Sequence, residues 1–286
     1  MHITLHSHPI HWTRYVITPT SLLSHSRMIR FSLWLFAFFI ASHAISQERW
    51  QSDAYIQDSF IKIALEREYK ETKHPKLIRW AKPIKLFFES DSGDASLQKE
   101  LLSVHAQHLA YITGLSIDFT DDPKKANIFV IFTDYDNMEN KVKQYIGDPE
   151  KIRAALNEAI CLGNFSRNSR YEITKGTIII PVDYARRKAR FLDCIVEEIT
   201  QLLGLPNDSN DVFPSVFNDV SIDTYISPLD YLLLKALYSS QLKPGMNVDQ
   251  TKVAFPNVLK ELHANKDIEN AVERVQKYSL KVYLGD

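Results

Sequence analysis

The chain is short of several things that would announce a function. It has 8 glycines in 286 residues, and none of them forms a Gly-rich phosphate loop. No run of basic residues interleaved with aromatics is read in it, and no histidine lies beside a nucleophile in a local triad motif. There are no internal repeats and no low-complexity linker. Two cysteines, Cys161 and Cys194, are the whole thiol complement. These gaps argue against nucleotide binding, nucleic-acid binding and triad catalysis.

What is present begins with an apolar run. MIRFSLWLFAFFIASHAIS, residues 28–46, has a basic start at Arg30, an apolar stretch from Phe31 to Ala41 broken by Ser32, and small residues after it. That is the layout of a secretory signal, with cleavage after Ala44 or Ser46. The run is short for a membrane span, which leaves a signal anchor as the other reading. It holds no cysteine for a lipid anchor. Residues 1–27 are His-rich and precede a better start at Met28, so they read as an artefact of start-site choice. The expected organisation is therefore signal 28–46, an N-terminal helix in 47–74, a main domain in 75–246 and a helical tail in 247–286.

Export changes the balance of the chain. Taking Arg14, Arg27 and Arg30 from the 34 basic residues leaves 31 against 35 acidic, a net charge of −4. That gives no support to nucleic-acid binding. Six of the ten histidines go as well, leaving His74, His105, His108 and His263. About 240 residues suffice for one substantial core. In an oxidising compartment the two cysteines read as a disulfide, with two separate buried thiols as the alternative.

Periodicity and punctuation give an order of elements. Helices are expected over 53–69, 95–112, 137–145 and 149–159. Strands are expected over 84–90, 116–120, 127–133 and 177–183, of which 127–133 is apolar on both faces and so central. One helix is expected from Arg186 to Leu205, ended by Gly204 and Pro206. A loop rich in Asp, Asn and Ser follows to residue 226. Ser227, Pro228 and Asp230 then form a strong helix start, with serine as cap and the acid three residues on. The alternation predicts an α+β or α/β sheet with the 186–205 helix under it, the usual order in a zincin-type peptidase.

That helix carries the most informative stretch, CIVEEITQLLGLPND (194–208). The metzincin pattern is H-E-x-x-H-x-x-G-x-x-H. Here its positions read Glu197, Glu198, Gln201, Gly204 and Asn207. The general-base glutamate position and the glycine are retained, and the three zinc-ligand histidines are replaced. Positions i and i+4 share a helix face, so Glu197 and Gln201 point the same way beside Glu198. Carboxylate and amide oxygens are hard donors that suit Ca²⁺, Mg²⁺ or Mn²⁺ better than zinc. Without a strong Lewis acid nothing brings the pKa of water from 15.7 to about 7.

The reading is therefore a degenerate cleft, with Glu198 the candidate general base and Glu197 and Gln201 candidate oxygen ligands. A solvated helix face beside Asp193 is the plain alternative. His105-x-x-His108 could add ligands if folded against this helix, though such pairs usually line a half-buried face. Asp208, Asp211, Asp219 and Asp223 could add oxygens, though loop acids are commonly solvated.

Cys194, EEITQLLGLPND (197–208), PSVFND (214–219), SPLDYLLLKALY (227–238) and KPGM (243–246) resemble a bacterial group, domain-of-unknown-function family 2927. The similarity covers roughly 75–246. It implies exported members, some of them lipoproteins, an envelope location and a zincin-like fold, with no substrate established for the group. This chain departs from the lipoprotein members in lacking a lipobox cysteine. The expectation is an exported envelope protein that binds a peptide, protein or other envelope component without histidine–zinc catalysis. The alternative is a hydrolase with an E-E-x-x-Q site. No cofactor is expected, a divalent cation being the open question, and no nucleic-acid partner or mature transmembrane domain is expected.

Overall fold

Two apolar strands at the centre of the sheet explain the architecture. IFVIFT (β4, Ile128–Thr133) and the end of EITKGTIIIP (β6, Glu172–Pro181) are buried along nearly their whole length. Strands covered on both faces need side chains that tolerate burial on both, hence the unbroken apolar runs. β4 pairs in parallel with β6 on one side and with β2 (Ile84–Ser90) on the other. β2 pairs in parallel with β3 (Ile117–Phe119), and β1 (Arg79–Trp80) pairs in parallel with the start of β6. β5 (Leu162–Arg167) is the exception. It runs antiparallel to β6, with an irregularity between Ser166 and Arg167.

The computed structural model describes residues 48–66, 74–221 and 223–286. The signal reading on 28–46 and the start-site reading on 1–27 lie outside them, as do residues 67–69 of the helix expected over 53–69. The described residues belong to one compact unit.

Helices cover both faces of the sheet. Ile131 and Ile179 point to one side, where they meet Met138 and Val142 of α3 (Met138–Tyr145) and Leu156 of α4 (Arg153–Glu158). Their neighbours Val130, Phe132, Ile178 and Ile180 point to the larger core on the other side. That core is filled by α1 (Asp53–Leu65), α2 (Ala95–Thr113), α6 (Phe191–Gln201) and α7 (Pro228–Leu237). It also takes Phe255 and Val258 of α8 (Val248–Ala264) and Val275 of α9 (Ala271–Gln276). A last short helix, α10 (Leu280–Leu284), packs on α2. No helix among the described residues is long and apolar enough to cross a membrane.

The structure corrects the expected elements at several places, among them the unexpected β1 and the end of α1 at Leu65. β5 was not expected, because its Leu-Gly-Asn-Phe-Ser-Arg sequence is half-exposed and weakly apolar. β6 begins at Glu172 and ends at Pro181, so Val182 and Asp183 open a helix, α5 (Val182–Arg187). The single 186–205 helix is two helices, parted at Ala189 with φ +56°. A left-handed residue cannot continue a right-handed helix. The Ser227/Asp230 start is as expected: each side chain bonds the other's backbone N–H.

Candidate functional site

α6 presents its polar side to a cavity of about 310 Å³. Glu197, Glu198 and Gln201 all line it, so the spacing that puts them on one face of a helix puts them in one cavity. Opposite stand Ala155, Ala159, Ile160, Leu162 and Phe165, from α4, β5 and the link between them. The far wall is the loop after α6, which contributes Pro206, Asp208 and Asp219. The missed strand β5 is thus a wall of the site.

The end of α6 is held firmly. Trp80 Nε1 donates to Leu202 O at 2.8 Å, and Tyr238 Oη to Leu203 O at 2.7 Å. Gly204 follows with φ +120°, and a Cβ there would lie 2.3 Å from Ile78 O. Backbone angle and clearance both require glycine. The turn aims the next residues in different directions. Asn207, at the third ligand position of the metzincin pattern, donates Nδ2 to Lys62 O at 3.0 Å and faces α1. Asp208 faces the cavity instead and accepts Gln201 Nε2 at 2.8 Å.

Carboxyl oxygens from Glu197, Asp208 and Asp219 lie within 4.8 Å of one another. Among the described residues Arg190 is the one cation lining the cavity; its Nε is 2.8 Å from Asp193 and its Nη2 3.5 Å from Glu197. Burial, then the nearby Asp208 and Glu198 carboxylates, push the Glu197 carboxyl up to about 9, with Arg190 offsetting part of this. Glu198 is 9 % exposed and packs against β5, where a Cβ on Gly163 would meet its Oε2 at 2.3 Å. The pair Glu197 and Glu198 is therefore not a solvated face. Asp193 is buried as well.

The other candidates fall elsewhere. Asp211 pairs with Lys62 at 3.1 Å, and Asp223 accepts Ser221 Oγ at 2.6 Å. His105 packs against α6 away from the cavity, while His108 bonds the Val275 backbone of α9. His105 Nε2 is 3.1 Å from Val196 O and 3.2 Å from Thr200 Oγ1, residues that do not line the cavity. Burial and the neighbouring His108 push His105 down to about 3, and burial pushes His108 down to about 4. Both are neutral core histidines. Cys161 and Cys194 form the disulfide, with Cα atoms 5.8 Å apart, and both line the cavity.

A basic and aromatic run was overlooked in the sequence. Between Tyr184 and Phe191, Arg187 and Lys188 sit over the Tyr184 ring at 5.5 and 5.4 Å, and Arg186 over Phe191 at 5.0 Å. Arg187 is paired with Asp183 and Arg190 with Asp193, which leaves a patch of small net charge.

Residues 53–257 match the family described as Protein of unknown function (DUF2927). The chain belongs to this family. The match is wider than the 75–246 expected, reaching back through α1 and on into α8. It covers the whole cavity and ends before α9 and α10. No curated protein matches the chain.

Proposed function

We propose that this is an exported protein whose cavity binds a positively charged ligand, such as a basic segment of a peptide, without histidine–zinc chemistry. The observation that carries this is the charge asymmetry of the cavity. Glu158, Asp193, Glu197, Glu198, Asp208 and Asp219 line it with Arg190 as the single cation among the described residues, and the facing wall is apolar apart from Glu158. An aliphatic stem with a cationic tip suits those two walls, since lysine and arginine bury their stems and keep their heads polar. The disulfide fits an oxidising compartment. We read the fold as zincin-like and α6 as a metallopeptidase helix that has lost its ligands. The sequence pattern at 197–204 and the turn at Gly204 support that reading.

The test is a calorimetric titration with a short lysine-containing peptide and its Nε-acetylated counterpart. Glu197 holds a proton at neutral pH, so a bound cation should displace it. Binding should strengthen with pH between 6 and 9, depend on buffer ionisation enthalpy, and fall about tenfold or more in Asp208→Asn. Equal binding of the two peptides would sink the proposal.

A second reading, a hydrolase with Glu198 as general base, is favoured by the Glu197, Asp208 and Asp219 oxygens. Three oxygen donors so close together suit a hard divalent cation, which would supply the missing Lewis acid. Stoichiometric Mn²⁺, Mg²⁺ or Ca²⁺ in purified protein, lost in Glu197→Ala, would favour this reading over the first.

A further inference from the structure

The disulfide has a place in the cavity wall that gives it a second role. Cys161 stands just before β5 and is half-buried, while Cys194, in the first turn of α6, is fully buried. The bond fastens the wall at Ala155–Cys161 to the helix that carries Glu197 and Glu198. Apart from Ile160, partly buried against the main core, the rest of that wall is lightly held. Leu156 is the one buried residue of α4, seated among Ile131, Met138, Val142 and Ile179. Ala154, Asn157 and Glu158 are exposed. Arg153 reaches Glu139 of α3 at 2.7 Å, with both side chains open to solvent, and such pairs stabilise little. The backbone bond from Ala159 N to Ala155 O stays within the segment. From Leu162 onward the ladder to β6 takes over, and it does not need the disulfide.

The geometry points to a redox latch: the Cys161–Cys194 bond holds residues 153–161 against α6, and its reduction lets that segment swing away and opens the carboxyl face. Reduction needs a dithiol. One of its thiolates attacks Cys161 Sγ, the sulfur on the less buried residue, forming a mixed disulfide and expelling the Cys194 thiolate. The reductant's second thiolate then attacks its own sulfur in the mixed disulfide. That releases the Cys161 thiolate and leaves the reductant as a disulfide. Two electrons pass to the protein, and each cysteine thiolate takes up a proton from water. The latch goes beyond the ligand reading and holds whatever the cavity binds.

Hydrogen exchange read by mass spectrometry tests it, on the full chain oxidised, reduced with dithiothreitol, and as Cys161→Ser/Cys194→Ser. After a labelling pulse of about one minute, peptides covering 153–161 should be fully exchanged in the reduced and double-serine proteins and only partly so in the oxidised one. Strands β4 and β6 should remain unlabelled in all three. Unchanged labelling of 153–161 would overturn the latch. Labelling of β4 and β6 together with it would also overturn it, by making the bond a staple of the whole fold. Reduction starts from folded protein, so it reads the latch even where the double-serine chain fails to fold.

Discussion

The two faces of α6 obey opposite rules. On one, Ile195, Val196, Ile199 and Thr200 are buried in the main core, and the polar group among them is satisfied: Thr200 Oγ1 donates to Val196 O at 2.5 Å and contacts His105. On the other, Glu197 and Glu198 line a cavity together with Asp208, with Arg190 as the only cation lining it among the described residues. The core face uses burial to stabilise the fold. The cavity face gathers like charges in a confined space, which costs stability. Such a face is where function is to be sought, since folds keep destabilising arrangements at their working sites.

Substitutions along this helix should therefore differ in sign as well as size. The largest effect is expected where both faces depend on one residue. Gly204→Ala would force a Cβ onto Ile78 O and a φ of +120° on an L side chain, costing about 3 kcal/mol or more. Urea denaturation would show it, and a loss under about 1 kcal/mol would mean the turn relaxes easily. Next comes the core face, where Ile199→Ala removes a side chain that is 2 % exposed and should cost about 2–4 kcal/mol.

On the cavity face the sign reverses. Glu197 titrates near 9 in the folded protein against 4.5 when unfolded, so its contribution is complete below pH 4.5 and is lost as pH rises toward 9. Glu197→Gln should flatten that decline and stabilise the protein at pH 8 by on the order of 1–2 kcal/mol. Denaturation at pH 5, 7 and 8 checks this, and a destabilised variant at pH 8 would break the comparison. The smallest effect is expected at His108, whose Nε2 is buried without a partner. Its folded pKa of about 4 lies below 6.5, so its stabilising contribution is full above pH 6.5 and fades as pH falls through 4. His108→Leu should change stability by less than about 1 kcal/mol at pH 7 and leave the variant more stable than the parent at pH 4. Thermal melts at the two pH values decide it.

What could be read from the sequence follows the range of the interactions that shape each part. The capping box of α7 is a contact between residues three apart, and Ser227 and Asp230 announce it. The apolar runs of β4 and β6 state their own burial. Glu197, Glu198 and Gln201 share a cavity because helical spacing alone puts them together. β5 is a strand only because β6 lies beside it; Gly163 and Asn164 carry no strand signal of their own. The break at Ala189 has neither glycine nor proline to mark it. Selecting Asp208 and Asp219 from four loop acids, and turning Asn207 away, required the path of the chain after Gly204, which no spacing rule contains.

Asp230 is fully buried, and its carboxylate takes three bonds: from Ser227 N at 2.9 Å, which caps α7, and from Ser215 Oγ at 2.6 Å and Val216 N at 3.0 Å. At the other end of the same loop, Asn207 is bonded to Lys62 and Ile63 of α1. The stretch bearing Asp208 and Asp219 is thus a span between two fixed piers, braced midway where Ser209 N meets Phe217 O at 2.8 Å. The conformational entropy of this wall is surrendered when the chain folds and not when a ligand arrives. An incoming group therefore meets a surface already in shape, and its affinity is not reduced by having to order about a dozen loop residues.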